Sequence, residues 1–243
     1  MKIITLLLFF SLSAEAFTLI GAGGKGWRRN DIAFSYDISE CPNFNIEPVL
    51  TQAFAIWNNI PGSNLKLSLA GATTNRIKDP PTIFCETDFS TYGSINNIPG
   101  VALDPSEDSE GYIDGGFVVL NASAGQASIN NFDPTLLAVI LAHEIGHAIG
   151  LGHTSDQNAL MYFDASYKTS LGLSQDDIDG VTYLYPRDEL SGDKPFGCAR
   201  IENINNNNNS RMILLLLLLP LLAAIILRMA RAKRKLFGRT VNI

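Results

Sequence analysis

All three histidines of this 243-residue chain fall in one short stretch, His143-Glu144-Ile145-Gly146-His147-Ala148-Ile149-Gly150-Leu151-Gly152-His153. On a helix, His143 and His147 are one turn apart and stack on one face about 6 Å from each other, so both reach a single ion. Glu144 is turned about 100° from His143, which sets its carboxylate beside the ion's open position instead of among its ligands. Gly150 lets the chain leave the helix with positive φ, and His153, six residues after His147, returns as a third ligand. Three neutral imidazoles leave a tetrahedral zinc one position short, and water fills it. Chance agreement at five such fixed positions has odds on the order of one in 10⁵. A closed structural zinc needs a fourth protein ligand, yet no histidine remains and no cysteine lies near in sequence. The spacing therefore predicts one catalytic zinc with Glu144 beside its open position.

The flanking sequence supplies elements able to hold this motif. Asp133-Pro134 reads as an N-cap followed by proline at the first helical position. Leu136, Leu137, Ile140, Leu141, Ile145 and Ala148 give the motif-bearing helix one buried face, ending at Gly150. Upstream, Ile46, Leu50, Ala53, Phe54 and Trp57 follow helical spacing in a segment opened by Pro48 and stopped by Pro61-Gly62. Ile32 to Ile38 alternates as a half-buried strand does, and shorter strands are expected at 65–69, 82–85, 100–103 and 116–120. Ser174 with Asp177 forms a variant capping box, and Ile178, Val181, Leu184 and Tyr185 line one face of a short last helix before Pro186.

Composition and the two ends bound the compartment and the partners. A hydrophobic fraction of 46% against 17% charged excludes a disordered chain. Met1-Lys2, an apolar run and Ala14-Glu15-Ala16 make residues 1–16 a secretory signal peptide cut after Ala16. Residues 17–186 are the folded domain, and 187–210, ending in Asn205 to Asn209, a polar tether. Within 211–243, Met212 to Leu227 is an apolar run broken only by Pro220. As a helix it reaches about 24 Å, against a hydrocarbon core of about 30 Å. The basic residues from Arg228 to Arg239 would stay cytoplasmic, which makes 211–243 a marginal membrane anchor. Together with Gly197-Cys198, the same tail is similar to the sorting tails of some Gram-negative bacterial surface proteins, and both readings stay open. Either way the domain is expected outside the cell, attached to the membrane or released after tail processing. Net charge is −6; seven positive charges lie beyond residue 210 and the leader is neutral, so residues 17–210 carry −13, which argues against nucleic acid as a partner. No Cys-x-x-Cys pair exists, which excludes a cysteine zinc ribbon. In an oxidising compartment a Cys41 to Cys85 bridge would stabilise the domain by about 4 kcal/mol through loop closure; the alternative is two buried thiols.

These residues resemble the metzincin zinc proteases, and within them the matrixins. Besides the histidine motif, Asn158-Ala159-Leu160-Met161-Tyr162 resembles their Met-turn, and Leu173 to Pro186 is similar to their C-terminal helix. The resemblance spans roughly Ile32 to Pro186 and implies a zincin-like α/β (α+β) domain: a small twisted mixed sheet, two long helices and a short C-terminal helix. It implies peptide-bond hydrolysis on protein or peptide substrates, with His143, His147 and His153 as zinc ligands, Glu144 as general base and Met161 as the Met-turn residue. Gly100-Val101-Ala102-Leu103 is similar to the edge strand along which matrixins lay substrate, so Val101, Ala102 and Leu103 are candidate substrate-binding residues. Zinc activates the water, Glu144 shuttles its proton, and activity is expected to fall in acid as Glu144 and the histidines protonate.

The chain also departs from that pattern. No cysteine-switch propeptide is found between Ala16 and the first strand, so an enzyme without thiol latency is expected. No histidines remain for a second, structural zinc, and Phe163 stands where a proline usually follows the Met-turn tyrosine. Asp104, Glu107, Asp108, Glu110 and Asp114 could hold Ca2+, but lack the glycine-punctuated spacing of an EF-hand, which favours a solvated acidic loop. Asn121-Ala122-Ser123 is a glycosylation sequon for a eukaryotic source. Two other functions stay open: a membrane-anchored surface binding module with a vestigial zinc site, which has no need of Glu144, and a metzincin protease outside the matrixins.

Overall fold

A computed structural model describes residues 17–187, apart from 43–44, 165–167 and 169, and gives only the backbone of Asp104. The signal peptide, nearly all of the tether, Cys198 and the apolar tail lie outside the described residues. Among the described residues no helix is long and apolar enough to cross a membrane.

Five strands form one sheet in the order β2-β1-β3-β5-β4: β1 (Asp31–Asp37), β2 (Lys66–Ala72), β3 (Thr82–Glu86), β4 (Gly100–Glu107) and β5 (Ile113–Asn121). All neighbours pair parallel except β4, which runs antiparallel to β5 at the sheet's edge. Alternation sorts the side chains between two clusters. Ile83, Cys85, Val118 and Leu120 enter the main core, whereas Phe84 and Val119 turn the other way and pack with Phe89. The expected strand at 100–103 runs on to Glu107, with register shifts on the way.

Helix α1 (Glu47–Asn58) starts with Pro48 in its first turn and buries Val49, Leu50, Ala53, Phe54 and Trp57. Helix α2 (Pro134–Ala148) is capped by Asp133, whose carboxylate accepts the N–H of Thr135 at 2.8 Å and of Leu136 at 3.0 Å. The sequence predicts one buried face for α2, and here the structure differs: every residue from Leu137 to Ala148 is buried, while Leu136 stays partly exposed. Helix α1, strands β4 and β5 and the Met-turn pack around it, and the side they leave borders a cleft beside β4. Helix α3 (Gln175–Leu184) carries the Ser174/Asp177 capping box. The architecture is thus the mixed α/β zincin-like fold with two longer helices and a shorter last one.

The exit of α2 is fastened by distant donors. The Trp27 indole donates to Ala148 O at 2.9 Å, the Tyr185 hydroxyl to Ile149 O at 2.6 Å, and the Ile20 N–H to Gly150 O at 2.9 Å. The carbonyls of Ala148 and Ile149 are among the ones a helix end leaves without partners. Gly150 then turns the chain with φ of 113°, in the left-handed region open to glycine.

Candidate metal centre

His143 and His147 lie on consecutive turns of α2, and the Gly150 turn brings His153 back to face them. Among the described residues these three form the one convergent group of metal-ligating side chains, their ligand atoms within 4.8 Å of one another. His147 Nε2 stands 3.2 Å from His143 Nε2 and 3.1 Å from His153 Nε2. The opposite ring atoms decide what those short distances mean. His143 Nδ1 lies 2.8 Å from Leu160 O and His147 Nδ1 2.8 Å from Leu151 O, and a carbonyl only accepts. Both Nδ1 atoms therefore carry the proton, so the two facing Nε2 atoms present lone pairs with no hydrogen between them. Burial pushes His143 down to about 4 and His147 to about 3, and it lowers His153 as well. Neutral imidazoles with converging lone pairs and carbonyl-fixed tautomers are the donor set a zinc ion requires, and the cluster is compatible with one.

Glu144 leans away from the triad toward the sheet edge. Its Oε2 accepts the Ala102 N–H at 2.7 Å, and burial pushes its carboxyl up to about 7. Gly100 explains the close approach: a Cβ there would stand 3.3 Å from Glu144 Cγ. Between α2 and the free edge of β4 runs a cleft of about 1010 Å³, lined by the triad, Glu144, Val101, Ala102, Leu136 and Ile140. Leu103 does not line it and packs instead beside Phe84, Phe89 and Val119. Phe163, at the cleft mouth, is 63% exposed.

Met161 is buried, and Gly146 shows why a glycine stands between the two helical histidines. A Cβ at 146 would lie 2.3 Å from Met161 Sδ and 3.1 Å from the Trp57 ring. Asp177 does more than its expected capping. Besides Ser174 N–H, it accepts Leu160 N–H at 2.7 Å and Met161 N–H at 3.0 Å, fixing the turn whose Leu160 O orients His143. The capping spacing marks Asp177 in the sequence, but nothing there marks the second set of donors. Cys41 and Cys85 are joined, with Cα atoms 5.0 Å apart. The acidic loop is engaged within the protein: Arg28 pairs with Asp108 at 2.7 Å and Glu110 at 3.1 Å, and Glu107 accepts the Gly23 N–H. Asn121 of the sequon is buried, its amide donating to Ile95 O and Ile98 O.

Comparison with known proteins agrees with this geometry. Residues 86–186 match the family model described as matrixin. The chain is 26% identical over 183 residues to metalloendoproteinase 2-MMP of Arabidopsis thaliana, covering 71% of this chain and 46% of that protein. It is 27% identical over 180 residues to human neutrophil collagenase, covering 69% and 35%. A shorter alignment of 55 residues to interstitial collagenase of Sus scrofa reaches 47% identity, covering 23% and 12%. Along the two longer alignments the chain spans between about a third and a half of its relatives' length.

Proposed function

We propose that this chain carries a matrixin-like catalytic domain and is a zinc-dependent endopeptidase acting on extracellular proteins, a reading supported by the match of residues 86–186 to the matrixin family model. The observation that carries this reading is the convergence of three imidazole Nε2 atoms beside a buried carboxylate that is not among them. His143, His147 and His153 would hold the metal. Zinc, when bound, lowers the pKa of water and polarises the scissile carbonyl. Glu144 accepts the proton of the attacking water and returns it to the leaving amine, a task suited to a carboxyl lifted toward neutrality. The Ala102 N–H holds that carboxylate at the cleft, and the outer edge of β4, which no further strand covers, receives an extended peptide as an added strand, with Val101 and Ala102 against it. The intact Glu144 favours catalysis over a vestigial binding site. Arg28 pairs with Asp108 and Glu110, which supports closure of the acidic loop by the protein's own charges.

Metal analysis of the full-length protein alongside a peptide-hydrolysis assay tests the reading. One zinc per chain is expected, and Glu144→Ala should keep it while turnover falls by about 10²- to 10⁴-fold. A zinc-free wild type, or a fully active variant, removes the assignment. Export through residues 1–16 and attachment through 212–227 form part of the same proposal, supported by the composition of those segments. The intact chain should then fractionate with membranes, and recovery only in the soluble fraction would exclude attachment.

A further inference from the structure

The three candidate ligands are anchored unequally. His143 and His147 ride on α2, and each commits its Nδ1 to a backbone carbonyl. His153 stands on a loop, and among the described residues the one polar atom within hydrogen-bond range of its ring is His147 Nε2, a fellow ligand and not a backbone anchor. Its placement rests on its backbone.

That backbone is gripped from both sides. After it, the Thr154 N–H donates to Met161 O at 3.0 Å, and Thr154 bridges Tyr162. Before it, the grip comes from the other end of the domain. Leu19 bridges Leu151 in antiparallel fashion, the Ile20 N–H donates to Gly150 O at 2.9 Å, and the Gly152 N–H donates to Thr18 O at 2.8 Å. The Thr18 hydroxyl donates to His153 O itself at 2.5 Å. Phe17 ties this strap to α3, with its ring 5.6 Å from that of Tyr183 and its Cγ 3.2 Å from where a Gly180 Cβ would be. The loop is shaped to receive the strap, since a Cβ on Gly152 would stand 2.3 Å from Thr18 Oγ1.

We infer that residues 17–20 form a positioning strap for the third metal ligand, with Thr18 as the positioning residue that acts through His153. This rests on the zinc reading of the site. A ligand borne on a free loop loses backbone and rotamer freedom when it takes up a metal, and the strap imposes that order beforehand. Hydrogen-bonding partners one step removed from the ion are worth roughly 10- to 100-fold in metal affinity. Thr18 belongs on that scale although it is 135 residues from His153 in the chain.

The test is zinc titration of the full-length protein against a chromophoric chelator, with thermal unfolding of each metal-free protein beside it. Thr18→Val should bind zinc about tenfold more weakly at unchanged metal-free stability, and Thr18→Ser should return to within about twofold of wild type. Gly152→Ala, whose new methyl group drives the strap off the loop, should lose more than Thr18→Val. If both variants bind zinc as wild type does, the strap has no such role, while the zinc reading stands. If wild type takes up no zinc, both ideas fail. A loss in Thr18→Val that follows its metal-free stability and is not restored by serine reduces the strap to ordinary packing and overturns the inference.

Discussion

Two corners of this domain are fastened by different physics. Where β1 and β3 end, Cys41 is bonded to Cys85, and Arg76 reaches Asp37 at 2.8 Å, Glu40 at 3.2 Å and Glu86 at 3.6 Å while lying over the Phe84 ring. Where α2 ends, fastening falls to backbone carbonyls and N–H groups, with the Trp27 indole, the Tyr185 and Thr18 hydroxyls and the Asp177 carboxylate as side-chain partners. Fixed charges beside the triad would compete with the imidazoles for the ion or shift their protonation. Largely neutral scaffolding leaves an ion's charge free to act on water and carbonyl, whereas the disulfide corner is under no such restriction.

Substitution of the histidines tests this contrast most severely. His147→Ala and His153→Ala should each weaken zinc binding by about 10³-fold or more, beyond the loss expected for an outer partner. They should part in the metal-free state. His147→Ala strips Leu151 O of its donor in the interior and should cost about 1–3 kcal/mol, while His153→Ala should stay within about 0.5 kcal/mol of wild type. Chelator competition and thermal unfolding read the two effects, and equal metal-free losses would contradict the unequal anchoring.

The double variant Cys41→Ser/Cys85→Ser should lower unfolding free energy in urea by about 4 kcal/mol and leave zinc affinity within about twofold. A large change in affinity would mean that the two corners are not separate. Asp177→Asn comes next. One amide cannot accept everything the two carboxylate oxygens accept, so about 2 kcal/mol should be lost, together with zinc affinity through Leu160 and His143. A fall in stability alone would detach the Met-turn from the triad.

The smallest effect concerns pH. Burial alone would raise Asp37, but Ser39 and Arg76 outweigh it and hold the carboxyl below its ordinary value; Thr87, followed by Arg76, lowers Glu40. Carboxyls with lowered folded-state values stabilise the fold above their unfolded pKa of about 4, and that contribution disappears as pH falls through the folded values. Replacing Arg76 with Met should therefore cost stability at pH 7 and much less near pH 2, as measured by urea midpoints. An equal cost at both pH values would assign the Arg76 contribution to packing on Phe84 instead of to charge.

The features legible in the sequence were those with local spacing. His143, Glu144 and His147 share one helix, so their arrangement follows from 3.6 residues per turn, and the caps at Asp133 and Ser174 are signalled within three residues. The alternating strand at 32–38 was legible for the same reason, whereas the mixed sheet was expected from the resemblance to the metzincins. What escaped was set by partners far along the chain. That α2 would be buried along nearly its whole length depends on Trp57 and Met161 meeting over Gly146, and the hold of Ala102 on Glu144 joins residues 42 apart. Leu103 falls outside the cleft although Val101, two residues earlier and on the same face of β4, lines it; both pack with Phe84, Phe89 and Val119, and the sequence carries no signal for where along the strand the cleft ends.

The interior position of Asn121 bears on how the protein is made. Its amide joins Ile95 and Ile98 to the end of β5, and the Ser123 hydroxyl accepts the Phe89 N–H while donating to Thr87 O. A glycosylating secretory pathway meets the sequon while the chain is still extended, and a sugar attached then is too large to enter the fold. Quality control in such a host would retain the modified molecules, and silencing the sequon through Ser123 would sacrifice two hydrogen bonds. Production in cells that do not glycosylate avoids both losses.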